Sequence, residues 1–285
     1  SAGIAAIYGV EPDEEEEEEF PEEGNPNALP VDGGGNMGLG RTGATDHLFG
    51  EVHFASQQGD VVRIWALVAR AGVSENAVTS AGTTPIHFAA AAGQPNACSL
   101  LASLGADVDR ETSGGFTALH IAATGNQPKC IQALCAMRAR PDYPDANHRA
   151  GPLHWAARGG HVHAVEALLE EGASIEMPDR VGNTPLMWAA KHGRTRVLHR
   201  LVEEGASFRV VNKEGRTALI HAAEQGHTET CMALVDLGLY PNEVMMFGQS
   251  PGYMAEARGH KETAKALQEA LDLQGNVTRI NEIEG

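Results

Sequence analysis

Four histidines recur along this chain at nearly equal intervals: His53, His87, His120 and His154 stand 34, 33 and 34 residues apart. Imidazoles bind metals and move protons near neutral pH, so a column of them is the first place to look for chemistry. The column is incomplete for either task. It stops at Met187 and Ile220, where the same interval would place the next two histidines, and no carboxylate or thiol recurs beside it to complete a ligand set or an acid–base pair. His161, His227 and His260, each following a glycine, add no such partners. The cysteines Cys98, Cys130, Cys135 and Cys231 have neither CxxC spacing nor the density of a disulfide scaffold, and read as reduced thiols. GNMGLG at residues 35–40 superficially resembles a phosphate loop, but no strand-like segment precedes it and no Gly-Lys-Ser/Thr follows, so it reads as a linker. No nucleophile elbow or nucleotide fingerprint occurs. Catalytic residues, a metal site, a cofactor and a small-molecule substrate are therefore not expected.

The interval itself carries more information than the histidines. TPIHFAA begins at Thr84, TALHIAA at Thr117, GPLHWAA at Gly151, TPLMWAA at Thr184 and TALIHAA at Thr217, with starts 33, 34, 33 and 33 residues apart. The same frame reaches GEVHFAS from Gly50 and SPGYMAE from Ser250, making seven copies with starts near 50, 84, 117, 151, 184, 217 and 250. Nine residues after each start comes Gly59, Gly93, Asn126, Gly160, Gly193, Gly226 or Gly259, a second register the first did not require. Within a copy, Thr is placed to cap a first helix that runs through the Ala pair, with Pro tolerated in its first turn. A second amphipathic helix follows, such as HAVEALLEEGA from His163, and then an Asp- and Gly-containing turn such as SIEMPDRVGN from Ser174.

This pattern resembles the ankyrin repeat family over about residues 47 to 270, with Gly-Ala endings at Gly105-Ala106, Gly172-Ala173 and Gly205-Ala206. The resemblance implies an all-α solenoid of helix, turn, helix and projecting hairpin, about 33 residues per copy. It implies that each His ties its helix to neighbouring loops, and that partners engage the hairpin tips and the concave face of the first helices. The third copy departs from the pattern, with Arg138 where Gly is usual, an added residue in PDYPDANHRA from Pro141, and Gly151 for Thr, so a distorted hairpin is expected there. The divided chain is then an acidic arm and Gly-rich linker at 1–45, the repeat domain at 46–272 and a tail at 273–285.

The recurrent alanines Ala55, Ala89, Ala122, Ala156, Ala189, Ala222 and Ala255 fit where first helices nearly touch, and the Leu columns read as core. One residue past the His column stand Phe54, Phe88, Ile121, Trp155, Trp188, His221 and Met254. These either project into the groove as an apolar stripe with aromatic anchors or pack against the next first helix. Arg158, Lys191 and His192 follow the Ala pairs, and Arg180, Asn183, Lys213 and Arg216 fall at hairpin tips, so the middle of the array is locally basic. The resulting expectation is an adaptor or scaffold, a subunit of a larger complex, whose copies four to six hold an acidic or apolar peptide with Trp155 and Trp188 as anchors.

The formal charge is −17, but residues 1 to 49 hold twelve acids and one Arg, including EPDEEEEEEFPEE at residues 11–23. So acidic a segment cannot bury a core and is expected to be disordered to about residue 45. The acidity argues against nucleic acid as a partner, since binding phosphate needs clustered cations. No apolar run approaches the roughly 20 residues that span a bilayer. An intracellular, cytoplasmic protein is expected, with the nucleus or an organelle, reached after loss of a targeting peptide, as the alternative. A chaperone or delivery factor for a basic or hydrophobic client, with the acidic arm in capture or autoinhibition, is the second functional reading.

Overall fold

The threonines cap helices as their spacing predicts. Thr84 and Thr117 are extended, and the N–H of each donates to Nδ1 of the histidine three residues on, at 3.1 Å to His87 and 3.2 Å to His120. Histidine thus takes the place that Glu or Gln holds in the usual capping box. Because Nδ1 accepts, the proton sits on Nε2, which donates to the loop of the next copy: His87 to the carbonyls of Arg110 and Phe116, His120 to Ala150, and His154 to Asn183. His53 reaches Ala77 in the same way at 3.0 Å. The histidine column is a set of rivets between copies.

The structure is a computed structural model that describes residues 46–241 and 250–284; the acidic arm for which disorder is expected lies outside these residues. Helices alternate in pairs along the chain: α1 (Asp46–Gln58) with α2 (Val61–Trp65, continued by a π turn Ala66–Arg70), α3 (Pro85–Ala91) with α4 (Pro95–Ser103), α5 (Ala118–Thr124) with α6 (Pro128–Ala136), α7 (Pro152–Gly159) with α8 (Val162–Glu170). They continue as α9 (Pro185–Lys191) with α10 (Thr195–Glu203), α11 (Ala218–Glu224) with α12 (Thr228–Asp236), and α13 (Pro251–Ala257) with α14 (Lys261–Glu284). Residue 273, set as the start of a tail, falls inside α14. First helices pack on first helices and second on second, so the described residues form an all-α solenoid.

The alanine column is buried from Ala55 to Ala255 without exception, and Leu119, Leu153, Leu186 and Leu219 line up with Leu134, Leu168, Leu201 and Leu234 in one continuous core. Gly93 and Gly193 show why the turn between paired helices stays small: a Cβ there would lie 2.4 Å from the Gln127 side chain and 2.7 Å from His227. Hairpin tips bond to one another along the array, Ser113 N–H to Ala81 O, Arg180 N–H to His148 O and Lys213 N–H to Val181 O. Among the described residues no three His, Cys, Asp or Glu side chains form a group that could hold a metal ion, and no described helix is long and apolar enough to cross a membrane.

The irregular third copy keeps the fold and changes one turn. Hairpins elsewhere close from Thr79 to Thr83, Thr112 to Phe116, Asp179 to Asn183 and Asn212 to Arg216, whereas here Asp145 N–H reaches Ala150 O, one residue further. Arg149 and Arg138 take left-handed φ of 56° and 70°, where the other copies place Gly182 or Gly172. Such a conformation strains a residue with a Cβ by about 1–2 kcal/mol. Arg138→Gly, at an exposed helix end, is therefore expected to stabilise the chain by about 1 kcal/mol and raise its melting midpoint by a few degrees. An unchanged or lower midpoint would show that the arginine side chain offsets the strain.

Candidate interaction face

The two tryptophans in the middle of the array are not open anchors. Trp155 is 4% and Trp188 6% exposed, and each indole Nε1–H donates to a buried carboxylate of the hairpin before it, Asp145 Oδ2 and Asp179 Oδ2, both at 2.9 Å. The other oxygen of each aspartate accepts backbone N–H groups of its own turn, Asn147 and His148 on Asp145, Val181 and Asn183 on Asp179. The indoles meet edge to face at 5.4 Å, with Phe116 at 5.0 Å from Trp155 and His148 at 6.0 Å from both. Both tryptophans thus follow the packing alternative. Ile121 is also buried, Phe88 is half-buried with its ring 5.1 Å from His53, and Phe54, at 50%, is the member that is plainly exposed.

Above this aromatic layer lies a group of cations. The Arg158 guanidinium sits 5.2 Å from the Trp155 ring centre, and Arg194 Nε–H donates to the Arg158 carbonyl at 2.8 Å. His192 packs on Trp188 at 6.2 Å between ring centres, and its Nδ1 is 2.8 Å from the Trp188 carbonyl. Burial pushes His192 down to about 4; the Trp188 carbonyl opposes this, and the positive charges of Arg158, Lys191 and Arg194 add to it. Burial and then Arg194 likewise lower Arg158 from its ordinary value. Burial and these positive charges thus both oppose protonation of His192. Lys191 is half-buried and Arg194 exposed.

The hairpin-tip residues divide. Arg180 and Lys213 are exposed and braced, with Lys213 Nζ on the Arg180 carbonyl at 2.6 Å and Arg180 Nη2 on that of Ala146 at 3.2 Å. Arg216 is instead paired with Glu224 at 2.9 Å and Glu214 at 3.1 Å. Asn183 is a structural bridge: its Nδ2 donates to Asp179, and its Oδ1 is 2.8 Å from Asn212 Nδ2 and 3.0 Å from His221 Nε2.

A family model described as ankyrin repeats (3 copies) matches residues 52–145, 142–212 and 193–278. The chain belongs to the ankyrin repeat family. A comparison with curated proteins finds no match. Among solved structures 565 chains match; one is the crystal structure of the human ASB11 ankyrin repeat domain, 28% identical, covering 77% of this chain and 96% of that one at a TM-score of 0.67. Ankyrin repeats are in general protein–protein interaction modules on a non-enzymatic scaffold. In this ankyrin array the residues that sequence reasoning missed are Asp145 and Asp179. Their signal was an aspartate ten and nine residues ahead of each tryptophan, inside a hairpin.

Proposed function

We propose that this chain is a non-enzymatic adaptor that holds an acidic segment of a partner protein against Arg158, Lys191 and Arg194, with Arg180 and Lys213 extending the surface along the hairpins. The observation that supports this reading is the meeting of Arg194 Nε–H with the Arg158 carbonyl at 2.8 Å where the Arg158 guanidinium lies 5.2 Å from the Trp155 ring centre, with Lys191 three residues before Arg194. Bringing like charges together costs free energy, which an anionic partner would recover on binding. Trp155 serves here as the floor under Arg158, and neither buried tryptophan is an inserted anchor.

Replacing Arg158, Lys191 and Arg194 together with Glu is expected to weaken partner capture about 100-fold or more, at about 1.5–3 kcal/mol for each lost charge-assisted hydrogen bond. Partners captured by the full chain and by this variant would be compared, with helicity and melting midpoint as controls. A partner kept equally by both chains would sink the assignment. The second reading, a carrier of a basic or hydrophobic client, has one observation in its favour: Phe54, Val62 and Trp65 are exposed together in the first helix pair.

A further inference from the structure

We infer that the basic face has an occupant within its own chain, residues 11–23, which lie over Arg158, Lys191 and Arg194 until an acidic partner segment displaces them. This rests on reading that face as a binding site for acidic chain. Charge complementarity is the first support: EPDEEEEEEFPEE carries ten acids and no base, while the face holds Arg158 at 5.2 Å from the Trp155 ring centre, Arg194 with its Nε 2.8 Å from the Arg158 carbonyl, and Lys191 three residues before Arg194.

Geometry is the second. Neighbouring first helices pack at about 8–10 Å, so four steps from α1 to α9 cover about 32–40 Å. Residues 24–45 separate the acidic run from Asp46, and 22 residues reach at most about 73–79 Å. The run can therefore arrive with slack. A tethered ligand whose linker spans the gap meets its site at an effective concentration in the millimolar range.

Register is the third. Six consecutive glutamates, residues 14–19, cover about 20 Å when extended, which is two copies of the array. Arg158 belongs to one copy and Lys191 and Arg194 to the next. An uninterrupted run needs no particular alignment to place carboxylates opposite both. Such an interaction is tunable by salt and by competition, as exposed charges are screened over about 8–10 Å at physiological ionic strength.

The probe is a fluorescent peptide of residues 11–23 added to the full chain at low salt. Three full-length chains are compared: the natural one, one in which every Glu and Asp of residues 11–23 becomes Gln or Asn, and the latter with Arg158→Glu, Lys191→Glu and Arg194→Glu. The neutralised chain is expected to bind the peptide at least about 10-fold more tightly than the natural chain. The advantage should shrink at high salt and disappear with the three reversals. Equal, cation-dependent binding by the natural and neutralised chains would refute the internal occupant and leave the basic site standing. No binding by either would overturn both readings. Tighter binding that ignores the reversals would place the run elsewhere on the molecule. Suppression that grows with protein concentration would assign the occupant to a second copy of the chain, and would also refute the inference.

Discussion

Trp188→Ala is expected to destabilise the fold by about 3–5 kcal/mol, a large share of the roughly 5–15 kcal/mol that holds a typical domain together. The substitution empties the space between Trp155, His154 and His192, whose rings lie 5.4, 5.4 and 6.2 Å from that of Trp188. It also removes a donor from buried Asp179, leaving Asn183 Nδ2 at 3.1 Å on that oxygen. Because a solenoid is held by neighbouring interfaces, the loss falls on the contacts between the fourth and fifth copies. Trp188→Phe keeps an aromatic ring and loses the N–H, so about 1–3 kcal/mol is expected. Urea denaturation checks both. If Trp188→Ala left stability unchanged while abolishing partner capture, the indole would be a binding anchor after all. A double alanine variant at Trp155 and Trp188 therefore reports on folding before it reports on binding.

The fold was legible because each copy repeats the same local requirements. Thr caps, the Ala contact and the Gly turn sit at fixed offsets within a short stretch, and seven recurrences make the period unmistakable. The inserted residue near Pro141 was also readable, and it lengthens one hairpin closure from four residues to five. The direction taken by the tryptophans was not. Their position one past the histidine column allows either groove or core, and the choice is made by a carboxylate in a hairpin nine or ten residues earlier. Whether a cation is available was hidden for the same reason. Arg216 looks like a tip charge in sequence, yet Glu224, eight residues on and across a helix cap, takes it. The locally basic middle of the array was readable from Arg158, Lys191 and the tip residues, but the contact of Arg194 Nε with the Arg158 carbonyl needs two copies placed side by side.

Acidification from pH 6.5 towards 4 is expected to destabilise the array steeply, before most ordinary carboxylates titrate. The rivet histidines explain why. Burial pushes His87 and His120 down to about 4, against the pull of the loop carbonyls they donate to. Burial, followed by the charges of Lys191 and Arg216 and partly opposed by Asp179, pushes His221 down to about 3. In the unfolded chain each would take up a proton near pH 6.5. Between about 6.5 and 4 the unfolded state thus binds more protons than the folded one, and stability falls as pH falls. Full stability is present above pH 6.5, and the loss from His87 and His120 levels off below about 4. Each histidine contributes at most about 1.4 kcal/mol per pH unit in that window, so three approach about 4 kcal/mol per unit. Urea midpoints at pH 7, 6 and 5 measure the slope directly. A flat profile across that range would mean that the buried imidazoles accept protons in the folded state, which Nδ1 bonded to a cap N–H and Nε2 bonded to a carbonyl should prevent.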